Sequence, residues 1–164
     1  MGIFSFFNKN KSKEVSEPSK STFKEHLIDD FLIVTLPIDW IPYESDRFRA
    51  RTTNEKLQMS IINYGNQTGE RIVNAAFFKE LKLELYERFV TEGEYEPYED
   101  LIVTNNFITK SFKVDDETQY YLTTARNVNG RLIITDIIIR ELDDYSTDMS
   151  LLIQEISNSM QLKE

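Results

Sequence analysis

The chain has 164 residues, 28 of them Asp or Glu against 19 Lys or Arg, giving a net charge of −9, with no cysteine and one histidine. That charge opposes a phosphate backbone, so nucleic acid is not an expected partner. Without cysteine there is no disulfide, thiolate nucleophile or Cys-ligated metal, and a reducing cytoplasm is the expected location. The length fits one domain, and no apolar run approaches the roughly 20 residues of a membrane-spanning helix.

Residues 1–20 differ in composition from the rest of the chain and read as a flexible tail ahead of a single domain over 21–164. Met1-Gly2-Ile3-Phe4-Ser5-Phe6-Phe7 is a short apolar tip, followed by a Lys/Ser/Glu/Pro stretch from Asn8 to Lys20. The tip is shorter than a signal-peptide core and no basic region precedes it. Phe6 stands where N-myristoylation needs Ser or Thr. The expectation is that its aromatics dock on the domain itself. Membrane contact is expected only weakly, through Ile3, Phe4, Phe6 and Phe7 with lysines touching anionic headgroups. The tail carries +2, which leaves −11 on the remainder.

Residues 22–29 suggest a short helix behind Ser21 as N-cap. The apolar run 31–36 predicts a central strand covered on both faces, closed by Leu36-Pro37-Ile38-Asp39-Trp40, where the only Trp is expected in the core. Residues 47–53 and 57–64 predict a hairpin turning at Thr53-Asn54-Glu55-Lys56. Gly65 and Gly69 then break the pattern, with Thr68 a candidate cap for the next element. Over 71–92 the period becomes helical, with Ala75, Phe78, Leu81, Leu85 and Phe89 on one stripe and Gly93 as a stop.

After an acidic connection over 94–100, segments 101–104, 107–114, 118–126 and 131–140 predict a meander. Asn129-Gly130 marks a tight hairpin turn because both residues tolerate positive φ. The nearly wholly apolar 132–139 belongs mid-sheet. Met149, Leu152, Ile153, Ile156 and Met160 form one face of a closing helix introduced by Asp143, Asp144 and Ser146. The fold class is therefore α+β: a mainly antiparallel sheet of about six to seven strands in the order β-β-β-α-β-β-β-β-α, with helices packed on its faces.

The Leu36-Pro37-x-x-Trp40 strand ending, the hairpin after it, the long middle helix, the meander and the terminal helix together resemble the PsbP-like superfamily. That group takes in PsbP, a Ran-binding import factor and the DcrB and Eag-type chaperones, and this chain is similar to its bacterial members. The resemblance implies a non-enzymatic protein-binding scaffold with no active site that transfers between members.

The residues themselves offer little catalytic chemistry. His26 is read as a surface or helix-end residue. Neither a phosphate-binding Gly-Lys-Ser/Thr loop nor a dinucleotide Gly-rich turn occurs, so no cofactor and no metal are expected. Glu92, Glu94, Glu96, Glu99 and Asp100 form one carboxylate cluster, and Asp115, Asp116 and Glu117 form another. Both are read as solvated loops rather than acid–base pairs. Asn66-Gln67-Thr68 matches a glycosylation triplet but has no secretory context. Tyr95, Tyr98, Tyr120, Tyr121 and Tyr145 suit either sheet packing or an interface.

Arg47-Phe48-Arg49-Ala50-Arg51 is the best binding candidate, since strand alternation puts Arg47, Arg49 and Arg51 on one face. Cross-strand pairing with carboxylates is one answer to three adjacent like charges. Docking of an acidic peptide or other anion is the other, with Tyr43 joining the surface. The expected function is a non-enzymatic adaptor or chaperone-like module for an unidentified protein partner, and a homodimer is compatible with it. The alternatives are an immunity-type acidic inhibitor of a basic toxin, and a small-ligand carrier or enzyme using loop carboxylates.

Overall fold

The computed structural model describes residues 23–29, 32–43, 45–93, 95–142 and 149–162. The tail with Ile3, Phe4, Phe6 and Phe7, the Ser21 cap, Glu94, and Asp143, Asp144, Tyr145 and Ser146 lie outside them, as do the side chains of Asn66, Gln67 and Thr68. The strands are β1 (Phe23–Ile28), β2 (Leu32–Pro37), β3 (Trp40–Tyr43), β4 (Phe48–Thr52), β5 (Leu57–Thr68), β6 (Glu96–Pro97), β7 (Ile102–Val103), β8 (Phe107–Val114), β9 (Glu117–Val128), β10 (Arg131–Glu141) and β11 (Gln161–Leu162). The helices are α1 (Ala75–Thr91), between β5 and β6, and α2 (Met149–Ser159), before β11.

An eight-stranded sheet runs β3-β4-β5-β10-β9-β8-β6, with β7 also paired to β8, and a three-stranded sheet runs β1-β2-β11. All the pairings are antiparallel. The fold is α+β with a dominant antiparallel sheet, and each helix covers one face of it. Among the described residues no helix is long and apolar enough to cross a membrane.

Two apolar cores follow from the alternation of β10. Ile137 and Ile139 point to the side where α2 and the small sheet lie, joining Val34, Leu36, Trp40, Met59, Leu122 and Ile156. Leu132 and Ile134 point to the other side, joining Phe78, Tyr86, Ile108 and Phe112 under α1. Trp40 is buried at the start of β3, and Met149, Leu152, Ile153, Ile156 and Met160 are all buried, as the sequence predicts. Asn129 (φ 50°) and Gly130 (φ 75°) make the two-residue β9–β10 turn, both in the left-handed region.

Several expectations are corrected. Residues 23–28 form an edge strand, not a helix, because they pair residue by residue along one edge of β2. The 32–37 strand is central only in the small sheet, and it buries one face while the other stays half-buried. Gly65 does not end β5. The register slips there, with Leu132 opposite Gln67 but Ile134 opposite Tyr64, so the chain absorbs a bulge and continues to Thr68. The cap of α1 is Asn74, whose Oδ1 accepts the Phe77 N–H at 3.0 Å, rather than Thr68. The 94–100 connection contains β6, and the sheet gains β3 and β6 beyond the predicted count.

The predicted stripe faces the core at Phe78, which is fully buried, and at Leu81 and Phe89, which pack against it, but the other buried helix positions are Lys82 and Tyr86, which the stripe did not include. Lys82 is tolerated because its Nζ donates to Asp136 Oδ2 at 2.6 Å, while Thr123 Oγ1 donates to Asp136 Oδ1 at 2.6 Å. Asp136 sits among the isoleucines in the middle of β10, so the pair pins α1 over the centre of the sheet.

Removing one member leaves the other charge buried and unanswered. Lys82→Met should lower unfolding stability by about 3 kcal/mol, and Lys82→Met with Asp136→Leu should regain most of it; urea titration of the two variants measures this. Gly130→Ala, placing a Cβ at positive φ, should lose about 1 kcal/mol in the same assay.

Candidate functional site

On the α1 side of the large sheet the helix packs over β7, β8, β9 and the adjacent part of β10. Its rings close that half: Tyr86 and Phe89 lie 6.2 and 5.7 Å from Tyr121, and both pack on Phe112. Among the described residues nothing lies over the same face of β3, β4 and β5. Ile41, Tyr43 and Tyr64 are exposed there although each belongs to a strand.

Cross-strand register assembles this open half. One row runs Tyr43, Arg49, Ser60, Ile138 and then Tyr121 at the helix. The next runs Ile41, Arg51, Gln58, Arg140 and Gln119. Ala50 and Phe48 turn into the opposite core, which forces Arg49 and Arg51 outward. Arg47 precedes the strand. The residues singled out from the sequence, Tyr43, Arg47, Arg49 and Arg51, are thus brought together, with Tyr43 on β3 and its ring 5.8 Å from the Arg51 guanidinium. Arg140, Ile41 and Tyr64 complete the surface. Arg140 was invisible to sequence reading because β10 reaches β4 only through β5, while Ile41 and Tyr64 come from the strands flanking β4.

The guanidiniums are answered locally and loosely. Asp46, 71% exposed, lies 3.4 Å from Arg47 and 3.8 Å from Arg49, so one carboxylate serves two cations. Hydrogen bonds from Ser45 and Arg47 hold the Asp46 carboxyl below its usual range. Arg51 meets the exposed Glu55 at 2.8 Å. Arg140 is gripped by both oxygens of the half-buried Glu117, with contacts of 2.6, 2.9 and 3.1 Å, which raises its pKa. Arg49 Nε is sealed from solvent with no hydrogen-bond partner among the described residues. Exposed pairs of this kind contribute at most about 1 kcal/mol each, so an incoming carboxylate can replace Asp46 or Glu55 at little cost. Tyr64 has its pKa raised by burial and by the nearby Asp136, which keeps its hydroxyl a neutral donor.

The carboxylate clusters do not converge. Glu92 pairs with Arg88 at 3.5 Å, Glu99 accepts the Ser111 hydroxyl at 3.0 Å, Asp100 is exposed, and Glu117 is taken by Arg140. No group of three or more His, Asp or Glu among the described residues is placed to hold a metal ion. His26, expected at a surface or helix end, lies half-buried on β1 with its ring 5.8 Å from Phe48 and its Nε2 without a hydrogen-bond partner among the described residues. Tyr120 and Tyr121 are strand residues within the sheet, Tyr120 buried and donating to Glu141 at 3.0 Å. Tyr95 stacks on Phe89 at 4.5 Å, and Tyr98 is exposed beneath the Lys113 ammonium.

No protein-family model matches this chain, and no curated protein matches it. A crystal structure from Bacteroides thetaiotaomicron VPI-5482 at 1.50 Å resolution is similar to it at 12% identity with a TM-score of 0.45. The match covers 82% of this chain but 46% of that one, so the chain spans about half the length of that relative. A likeness at that level carries no functional argument.

Burial, reinforced by Lys24, lowers the His26 pKa below its ordinary 6.5. The unfolded chain therefore takes up a proton that the folded chain resists. Stability should fall as pH drops through 6.5 toward the folded value. His26→Gln should flatten that part of the curve, read from urea midpoints across the range, and an unchanged slope would count against this origin of the pH dependence.

Proposed function

We propose that this protein is a non-enzymatic binding module of the bacterial cytoplasm, built on a PsbP-like scaffold, whose open half-sheet takes an acidic segment of a partner protein. The observation that carries the reading is an arginine and tyrosine surface left uncovered on a chain whose net charge is −9. Arg49 and Arg51 are two residues apart on β4, about 7 Å along the strand. Guanidiniums at that spacing suit carboxylates on alternate residues of an extended segment, and they bind them bidentately. Tyr43, Tyr64 and Ile41 supply apolar area with few torsions to freeze, the composition favoured at interfaces. The free protein keeps the arginines soluble with exposed Asp46 and Glu55, which a partner displaces.

The absence of cysteine supports a reducing compartment. The PsbP-like resemblance implies the same class of non-enzymatic scaffold. The immunity-type alternative draws only on the overall charge. Its weakness is that the carboxylates of the two acidic clusters, among the described residues, are scattered or paired with arginines instead of forming one acidic face.

Affinity capture should compare the native protein, Arg49→Ala with Arg51→Ala, and a control, Lys79→Ala, on the exposed side of α1. The native protein and the control should retain one stoichiometric partner that moderate salt releases. The double variant should hold it at least about tenfold more weakly. A partner held equally by the double variant, or indifferent to salt, overturns the reading.

A further inference from the structure

A second concavity lies on the β8–β9 side of the sheet, away from the arginine surface. It opens where the start of β8, the end of β9 and the C-terminal end of α2 meet, with a volume of about 700 Å³. That size admits a small molecule. In a chain with 28 acidic residues, none of those lining this cleft is acidic. Its polar groups are the amides of Asn105, Asn106, Asn127 and Asn158 and the hydroxyls of Thr124 and Ser157.

Two of the amides are already fixed. Asn105 Oδ1 accepts the Ala75 N–H at 3.2 Å. Asn127 accepts the Arg71 N–H at 3.2 Å and donates to the Arg71 carbonyl at 2.7 Å. These contacts make rigid walls, so their ordering is not charged to ligand binding. The others are open. Thr124 is 5% exposed and its hydroxyl makes no hydrogen bond among the described residues, and the side-chain amides of Asn106 and Asn158, both solvent-exposed, make none either. Thr124 lines the cleft and its hydroxyl is not sealed from solvent, so it can bond a molecule there without breaking a contact within the protein.

Charge decides the ligand class. Arg126 is the single ionised residue of the lining, and its Nη1 donates to the Met160 carbonyl at 2.7 Å, just past the end of α2. A helix C-terminus carries partial negative charge, which that guanidinium answers. An anion would have to compete with the helix end for Arg126, and a cation would find no carboxylate. Phe107, half-buried, adds an apolar wall of the kind that packs against the C–H face of a sugar ring. We infer that this cleft binds a neutral polyhydroxylated ligand, a sugar or polyol, through Thr124, Asn106 and Asn158. None of these three residues belongs to the arginine surface, so the cleft would bind its ligand whatever that surface takes.

The test is a ¹⁵N-resolved titration of the full chain with glucose, maltose and glycerol as neutral probes and inorganic phosphate as the anionic one. At least one neutral probe should give saturable shifts at Asn106, Thr124, Ala125 and the Asn158 side chain, with a dissociation constant on the order of 1 mM or tighter. Thr124→Val, which keeps shape and removes one hydroxyl, should weaken that binding about tenfold, and Asn158→Ala should weaken it similarly, with the remaining spectrum unchanged. Absence of shifts at these positions with every neutral probe, shifts with phosphate alone, or binding unaffected by both substitutions overturns the inference.

Discussion

Strands in a sheet lie about 4.8 Å apart and a helix with its side chains is about 10–12 Å across, so α1 covers only one part of a sheet whose path from β3 to β6 crosses seven strands. That mismatch of widths organises the molecule. On the opposite face the problem is solved by pairing α2 with a small three-stranded sheet, so that an apolar floor from Ala50 to Leu122 is covered. On the α1 face no second element is supplied among the described residues. The uncovered strands carry Tyr43, Arg49, Arg51, Gln58 and Ser60 there, whereas Ile108, Phe112, Ala125 and Ile134 are buried under the helix.

The position of α1 is fixed by an interaction that is costly on its own terms. Burying Lys82 and Asp136 in an apolar seam forfeits their hydration, and the mutual contact and the hydroxyls of Thr123 and Tyr64 recover part of it. Sliding α1 along the sheet would separate them. The aromatic group of Tyr86, Phe89, Tyr95, Phe112 and Tyr121 fills the space between helix and strands with tilted and stacked contacts. Further ties secure the small sheet: Ser159 bonds both the amide and carbonyl of Thr35, and Asn63 links Asp29 to Thr135. The cleft at the end of α2 lies beside this closure, where β9, β8 and the helix terminus converge without filling the corner.

The contrast between the two concave regions is electrostatic. Around β4, cations outnumber the carboxylates that answer them, and those carboxylates are exposed and replaceable. At the α2 end the lining is neutral apart from one guanidinium committed to a helix terminus. A single acidic chain thus presents one surface suited to an anion and one suited to an uncharged ligand. Local pairing produces the difference, and the overall charge does not reveal it.

Much of the fold was legible from local pattern. The existence of α1 and its stop at Gly93, the β4–β5 turn, the Asn129-Gly130 hairpin, the burial of Trp40 and the apolar face of α2 all follow from spacing and turn chemistry over a few residues. Pattern failed where the outcome depended on a distant partner. Residues 23–28 form a strand because β2 offers an edge, and Lys82 is buried because Asp136 lies 54 positions away. The same division holds for the candidate site. Alternation within β4 put Arg49 and Arg51 on one face and Phe48 on the other, with Arg47 just ahead of the strand. Only the sheet order brought Arg140 and Tyr64 alongside and left that face uncovered, because pairing β10 with β5 is a long-range choice and α1 is too narrow to span the result.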